Sequence, residues 1–232
     1  MGNSGLAVSK VVARLAGVGL DQISSSFLND CFKQFGINVM PAAGDPVELF
    51  SRQKFEGCVV RLYGTDAETI LNAARNSSSN RRMVIYGIAR NTQEALRFAS
   101  YSINAIFDEP LERSSVLKVV RSTHLLVIHE LRRYVRIPVV MEISIDNGGP
   151  RKLMTVGQEV SAGGMSLRSE TKISPTDPVR LLFTLPGVKP IEIRAVVCWS
   201  RPGENTYGFR FDPDDPSRQA VKRWIDQYLE IM

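Results

Sequence analysis

Leu131-Arg132-Arg133-Tyr134-Val135-Arg136-Ile137-Pro138-Val139-Val140-Met141-Glu142-Ile143-Ser144-Ile145 is the stretch that decides the fold. Upstream of it Val116, Val119, Val120, Leu125, Ile128 and Leu131 form an apolar stripe at helical spacing, with no glycine or proline between Leu111 and Leu131. Downstream the apolar residues alternate and turn signals come at short, regular intervals, which is the mark of antiparallel β structure. A change of period in mid-chain marks a change of architecture. One hydrophobic core serves about 100 to 200 residues, so a chain of 232 residues is expected to hold two domains, 1–130 and 131–232, joined without a flexible linker.

Working downstream, strands are expected at Tyr134–Ile145, Lys152–Val160, Met165–Ser169, Val179–Leu185, Ile191–Arg201 and Tyr207–Phe211. Asp146-Asn147-Gly148-Gly149 supplies the positive backbone angles of a hairpin turn, and Pro202-Gly203-Glu204-Asn205 supplies another. Val221, Trp224, Ile225 and Leu229 then recur at helical spacing within Pro216–Ile231. Six strands closed by a terminal helix predict a small six-stranded antiparallel β-barrel.

Working upstream, short apolar runs alternate with amphipathic stretches, the pattern of βα units feeding a parallel sheet. Expected strands are Val11–Leu15, Asn38–Pro41, Gly57–Leu62, Met83–Ile88 and Ala105–Phe107; expected helices are Gln22–Phe35, Pro46–Gln53, Ala67–Asn76, Thr92–Ser100 and Leu111–Leu131. Asp45 before Pro46, and Asn91 before Thr92, are capping side chains at helix starts. Asn76-Ser77-Ser78-Ser79-Asn80 reads as a polar loop. The fold class is therefore α/β plus all-β: a five-stranded parallel sheet with flanking helices, then the barrel.

Composition narrows the function. Lys and Arg exceed Asp and Glu by 14 to 12 in residues 1–130 and by 15 to 12 after them, so no segment concentrates the cations that duplex DNA binding requires. A small anionic ligand suits the balance better. Cys31, Cys58 and Cys198 are isolated among apolar neighbours and read as buried free thiols of a reducing compartment. No run approaches the roughly 18 to 20 apolar residues of a membrane span, and the N-terminus lacks the order of a secretion signal. A cytoplasmic protein without membrane insertion is expected. Met1-Gly2 begins like a myristoylation signal, but Leu6 stands where Ser or Thr is required. Gly17-Val18-Gly19 opens like a dinucleotide fingerprint and then fails at Gln22, so it reads as an ordinary tight turn. His124 and His129, five apart, are out of phase for a shared metal.

Five βα units in this length resemble a response-regulator receiver domain. That resemblance implies a pair of acids after the first strand, a phosphoryl-accepting aspartate ending the third, and a lysine before a proline after the fifth. Here Arg61 stands about where the aspartate is expected, Glu109 precedes Pro110, and no acid follows the first strand until Asp21. Aspartyl-phosphate chemistry lacks its nucleophile and its metal cage, so the domain reads as a degenerate receiver. Arg61 itself reads as structural, paired with a nearby acid such as Asp66.

The second half resembles the PilZ family. An RxxxR pattern is present as Arg132-Arg133-Tyr134-Val135-Arg136, and the family's (D/N)xSxxG pattern is present imperfectly as Glu159-Val160-Ser161-Ala162-Gly163-Gly164. Val196–Arg201 and Tyr207–Phe211 resemble its closing strands. The resemblance implies a ligand, cyclic di-GMP, gripped by Arg132, Arg133 and Arg136, with Glu159, Ser161, Gly163 and Gly164 forming the facing wall. It implies no cofactor and no catalysis. Glu159 departs from Asp or Asn by one methylene and keeps a second reading open, an adaptor that has lost the nucleotide and acts by protein contact. A protein partner is expected in either case, and the apolar face of Leu111–Leu131 also suits a homodimer seam.

Overall fold

The structure, a computed structural model, describes residues 12–149, 152–173 and 178–231. The Met1-Gly2 and Leu6 reading, and Val11 of the first expected strand, lie outside the described residues. The chain divides into two compact units between Leu131 and Arg132.

The first unit carries five parallel strands, β1 (Ala13–Val18), β2 (Ile37–Ala42), β3 (Gly57–Arg61), β4 (Val84–Ala89) and β5 (Ala105–Asp108), in the order β2-β1-β3-β4-β5. This is the flavodoxin-like doubly wound order. β4 is buried at all six positions, because helices cover both faces and the strand must be apolar throughout. Alternation divides β3 between the two faces: Val59 joins Leu15, Phe32, Tyr86 and Phe107 on one side, while Cys58 and Val60 join Phe50, Leu71 and Ile85 on the other. On the first side Phe32 meets Tyr86 edge-on at 5.1 Å, and Tyr86 stacks on Phe107 at 5.4 Å.

The helices are α1 (Gln22–Lys33), α2 (Pro46–Arg52), α3 (Ala67–Asn76), α4 (Thr92–Leu96) and α5 (Arg113–Tyr134). Asp45 and Asn91 cap α2 and α4 as expected, and Asp21 caps α1 by accepting from the Ser24 amide. Two helix ends differ from the sequence reading by three residues or more, and β1 runs to Val18 where Leu15 was expected. The fourth helix stops at Leu96, and a 3-10 turn at Ala99–Tyr101 ends on Ser102 in the left-handed region. The fifth runs on to Tyr134, so Arg132 and Arg133 lie in its last turn and the next strand does not begin at Tyr134. Nothing between Leu131 and Tyr134 breaks a helix, whereas Pro138 denies the helical conformation to Ile137 before it.

The second unit is a closed barrel of six strands, β6 (Ile137–Asp146), β7 (Leu153–Ser161), β8 (Gly164–Arg168), β9 (Val179–Phe183), β10 (Ile191–Arg201) and β11 (Thr206–Phe211), in the order β10-β11-β8-β7-β6-β9. Every pairing is antiparallel. Ile143, Ile145, Leu181, Phe183 and Ile193 are buried and alternate with exposed or half-buried neighbours. The first hairpin turns on Gly148 at φ 77°, whose amide donates to Asp146. The last has a 3-10 turn at Pro202–Glu204 followed by Asn205 at φ 52°. The helix α6 (Arg218–Ile231) follows β11, and its Trp224 indole N–H donates to the Pro186 carbonyl at 3.0 Å.

Candidate functional site

Three β-bulges interrupt the barrel ladder, and they shape one region. The register shifts between Pro138 and Met141 on β6, between Gly157 and Glu159 on β7, and between Val197 and Trp199 on β10. An extra residue in one strand re-aims the side chains beside it. Gln158 and Cys198 are those extra residues on β7 and β10, so Glu159 and Trp199 do not follow the simple alternation of their strands.

The result is a cavity of about 220 Å3 lined by Arg136, Glu159, Ser161, Gly163 and Gly164 together with Cys198, Trp199, Gly208 and Arg210. Five of the seven residues expected from the sequence thus come to one place. Arg136 lies in the two-residue link before β6 and not within the strand, as the sequence reading had it, because the helix runs longer. Its Nη1 stands 3.9 Å from Glu159 Oε2, and both side chains are about half exposed. Arg132 and Arg133 are not among the lining residues. The Arg132 guanidinium makes an ion pair with Asp226 of α6 at 3.1 Å, and that of Arg133 lies 5.7 Å from the Tyr134 ring centre.

The bend between β7 and β8 is held by its neighbours. The Ser161 hydroxyl donates to the Gly164 carbonyl at 3.0 Å, the Phe211 amide donates to the Gly163 carbonyl at 2.9 Å, and Arg218 of α6 donates to the Ala162 carbonyl. The two glycines differ. A Cβ on Gly164 would meet the Phe209 carbonyl oxygen at 2.0 Å, whereas one on Gly163 would meet nothing within 4 Å. Glycine at 164 is therefore required by the adjacent strand, and only Gly163 leaves open space.

The sequence reading gave no ligand role to Trp199. The indole packs over Gly208, its partner across the β10–β11 ladder, where a Cβ would come within 2.1 Å of the ring. Arg201 lies 5.3 Å from the same ring and faces Glu204 at 3.5 Å, while Arg210 turns into the cavity. The only signal in the sequence was the pairing of a tryptophan with a glycine in facing strands. Cys198 lines the cavity and is exposed, which corrects the expectation that all three thiols are buried; the bulge turns it out of the core. Cys31 and Cys58 are buried as expected.

In the first unit, Arg61 ends β3 and makes its ion pair with Asp21, not with Asp66. It also donates to the Gly19 carbonyl and to the Ser24 hydroxyl at 3.0 Å. The sheet order explains the choice, since β1 and β3 are neighbours and the turn after β1 therefore lies beside the end of β3. The Ser24 amide, and then the Arg61 guanidinium, hold the Asp21 carboxyl well below the usual carboxylate range. Gly19, at φ 67°, makes the ordinary tight turn expected there. Among the described residues no group of three His, Cys, Asp or Glu is placed to hold a metal ion, and no helix is long and apolar enough to cross a membrane.

Comparison with known proteins places a PilZ domain at residues 130–227, by match to the family model of that description. No curated protein matches the chain. Among solved structures, the PilZ domain of CeSA from a cellulose synthesizing bacterium matches with 20% identity over 41% of this chain and 98% of that one, at a TM-score of 0.34. The Bacillus subtilis inhibitor of motility MotI/DgrA matches with 22% identity over 42% of this chain and 51% of that one, at a TM-score of 0.35. The Vibrio cholerae chemotaxis protein CheY4 matches with 13% identity over 48% of this chain and 98% of that one, at a TM-score of 0.42.

Proposed function

We propose, from the premise that residues 130–227 form a PilZ domain, that this domain is a receptor for cyclic di-GMP and that the chain is an effector without catalytic activity. One observation carries the reading: Arg136 and the Glu159–Gly164 bend, more than twenty residues apart in sequence, line one cavity with Trp199 and Arg210. The chemistry fits the ligand. A guanidinium bonds a phosphodiester with its planar fork and matches the O6/N7 edge of guanine equally well. An indole face offers a stacking surface for a purine. At about 220 Å3 the cavity is smaller than the roughly 300 Å3 at which drug-sized pockets begin, so it suits one base. The remainder of the ligand then falls to Arg132 and Arg133 in the last turn of α5.

That helix also suggests an output. Val116, Val120, Val127 and Leu131 of α5 belong to the core of the first unit. A ligand that fixes the arginines at its end biases the helix, and so the receiver-like unit, toward one state for a protein partner. Hydrogen exchange over residues 111–128 tests this step, and protection unchanged by ligand would exclude it.

Calorimetry of the whole chain with cyclic di-GMP tests the receptor reading. Arg136→Ala is expected to weaken binding by about tenfold or more, the cost of a charge-assisted hydrogen bond. A folded wild type that takes up no nucleotide at micromolar concentrations favours the second reading, a contact adaptor. The observation on that side is that Arg136 and Arg132 already face carboxylates, Glu159 and Asp226.

A further inference from the structure

The barrel unit has a second and larger cavity, about 550 Å3, between α6 and the segment that joins β9 to β10. It shares no lining residue with the first. Ser217, in the turn before α6, and Ala220, Trp224 and Gln227 of α6 form its one side. The spacing of four and three puts Ala220, Trp224 and Gln227 on a single helical face, and with the turn residue Ser217 before them the side spans ten residues, a trough roughly 15 Å long at about 1.5 Å each. The indole of Trp224 is fixed by its bond to the Pro186 carbonyl, which satisfies its only polar atom; the residue is 7% exposed and presents a small apolar surface at the floor of the trough.

The charge around this trough is one-sided. Lys189 and Arg223 line it, both exposed, and neither has an ion-pair partner among the described residues. Its single acid, Glu192, is held by Arg180 at 3.1 Å. Two free cations flanking an apolar floor call for an occupant with carboxylates on either side of one apolar group. A single-stranded nucleic acid would need a row of cations tracking its backbone, and two do not make a row. At about 3.3 Å per extended residue, a 15 Å trough takes four or five residues of chain.

We propose that the trough is a docking site for a short acidic segment of a protein partner, extended over four or five residues with one apolar side chain seated on Trp224. The surface is separate from the nucleotide cavity, and the inference does not rest on nucleotide binding.

The test uses the full chain and a fluorescein-labelled peptide Asp-Glu-Leu-Asp-Glu, followed by polarisation at low salt. Saturable binding is expected, weakened about tenfold or more in the double variant Lys189→Glu, Arg223→Glu, as for a charge-reversed contact. It should weaken also when glycine replaces the leucine of the peptide. Both substituted side chains are exposed, so melting should be unchanged; if the reversed pair fails to fold, Lys189→Gln with Arg223→Gln takes its place. No saturable binding up to about 1 mM peptide, a very weak affinity, overturns the proposal. So does equal binding by the variant, equal binding of the glycine peptide, or full displacement by inorganic phosphate, which would mark a small-anion site. Titration of cyclic di-GMP into the same proteins separates the two claims: peptide binding without nucleotide binding sinks the receptor reading and leaves this one standing.

Discussion

At Glu159 the residue that departs from the family pattern is also the one that faces Arg136. An anionic ligand must therefore compete with a resident carboxylate for the guanidinium. An ion pair this exposed contributes about 0 to 1 kcal/mol, so Glu159→Gln is expected to tighten cyclic di-GMP binding by up to about fivefold. Weaker binding in the same titration would mean that the carboxylate accepts a hydrogen bond from guanine and is part of the grip. Asp21 gives a prediction of another kind. Its folded carboxyl ionises below its ordinary range, held by the Ser24 amide and by Arg61, whereas in the unfolded chain it titrates near pH 3.9. The stabilisation is fully present above that pH and is lost as the pH falls toward the folded-state value. The difference between thermal melts of wild type and Asp21→Asn should hold steady from about pH 6 to pH 5 and shrink progressively as the pH falls below about 4; a difference that stays constant down to about pH 2 would remove the ion pair as its source.

Among the elements, what repeats was readable and what interrupts was not. The βα alternation, the six barrel strands and the caps Asp45 and Asn91 follow from periodicity and local chemistry. Three bulges break the period of two, and a sequence pattern read by alternation has no way to place Gln158 or Cys198 as the extra residue. For that reason alternation does not bring Trp199 to the cavity, whereas Glu159 and Ser161 are named by a motif and line it. Arg61 was read correctly as structural but given the wrong partner, since only the sheet order puts Asp21 within reach. The loop Asn76–Asn80 looked merely polar, yet Asn80 is fully buried and ties together the segment before β3. Its Oδ1 accepts from the Phe55 amide at 2.8 Å, and its Nδ2 donates to the Phe50 and Gln53 carbonyls at 2.8 and 2.7 Å. Asn80→Ala leaves the buried Phe55 amide without its partner and takes one donor from the Phe50 carbonyl, which keeps the Ser77 hydroxyl at 2.7 Å, at a cost of about 1 to 3 kcal/mol. Urea unfolding followed by far-ultraviolet circular dichroism should show a lower midpoint at unchanged slope. A shift within about 0.5 kcal/mol, that of a surface change, would show the loop to be dispensable.

Over the whole molecule the three thiols separate by environment, and the separation reports on the nucleotide cavity. Burial pushes the Cys58 thiol up to about 12 and also raises that of Cys31. Reaction requires an accessible thiolate, so both should be inert in the native chain. Cys198 is exposed at the lining of the cavity. A disulfide reagent should therefore titrate one thiol in the folded protein and all three in denaturant. A bulky maleimide placed on the reactive thiol fills the space beside Trp199 and Arg210, and is expected to abolish cyclic di-GMP binding. Cys198→Ser protein put through the same treatment should bind as before, because serine removes the attachment point while keeping the wall. If the adduct forms at Cys198 and the nucleotide still binds with undiminished affinity, the ligand does not occupy this cavity, and the site built on Arg136 and the Glu159–Gly164 bend is not the receptor site.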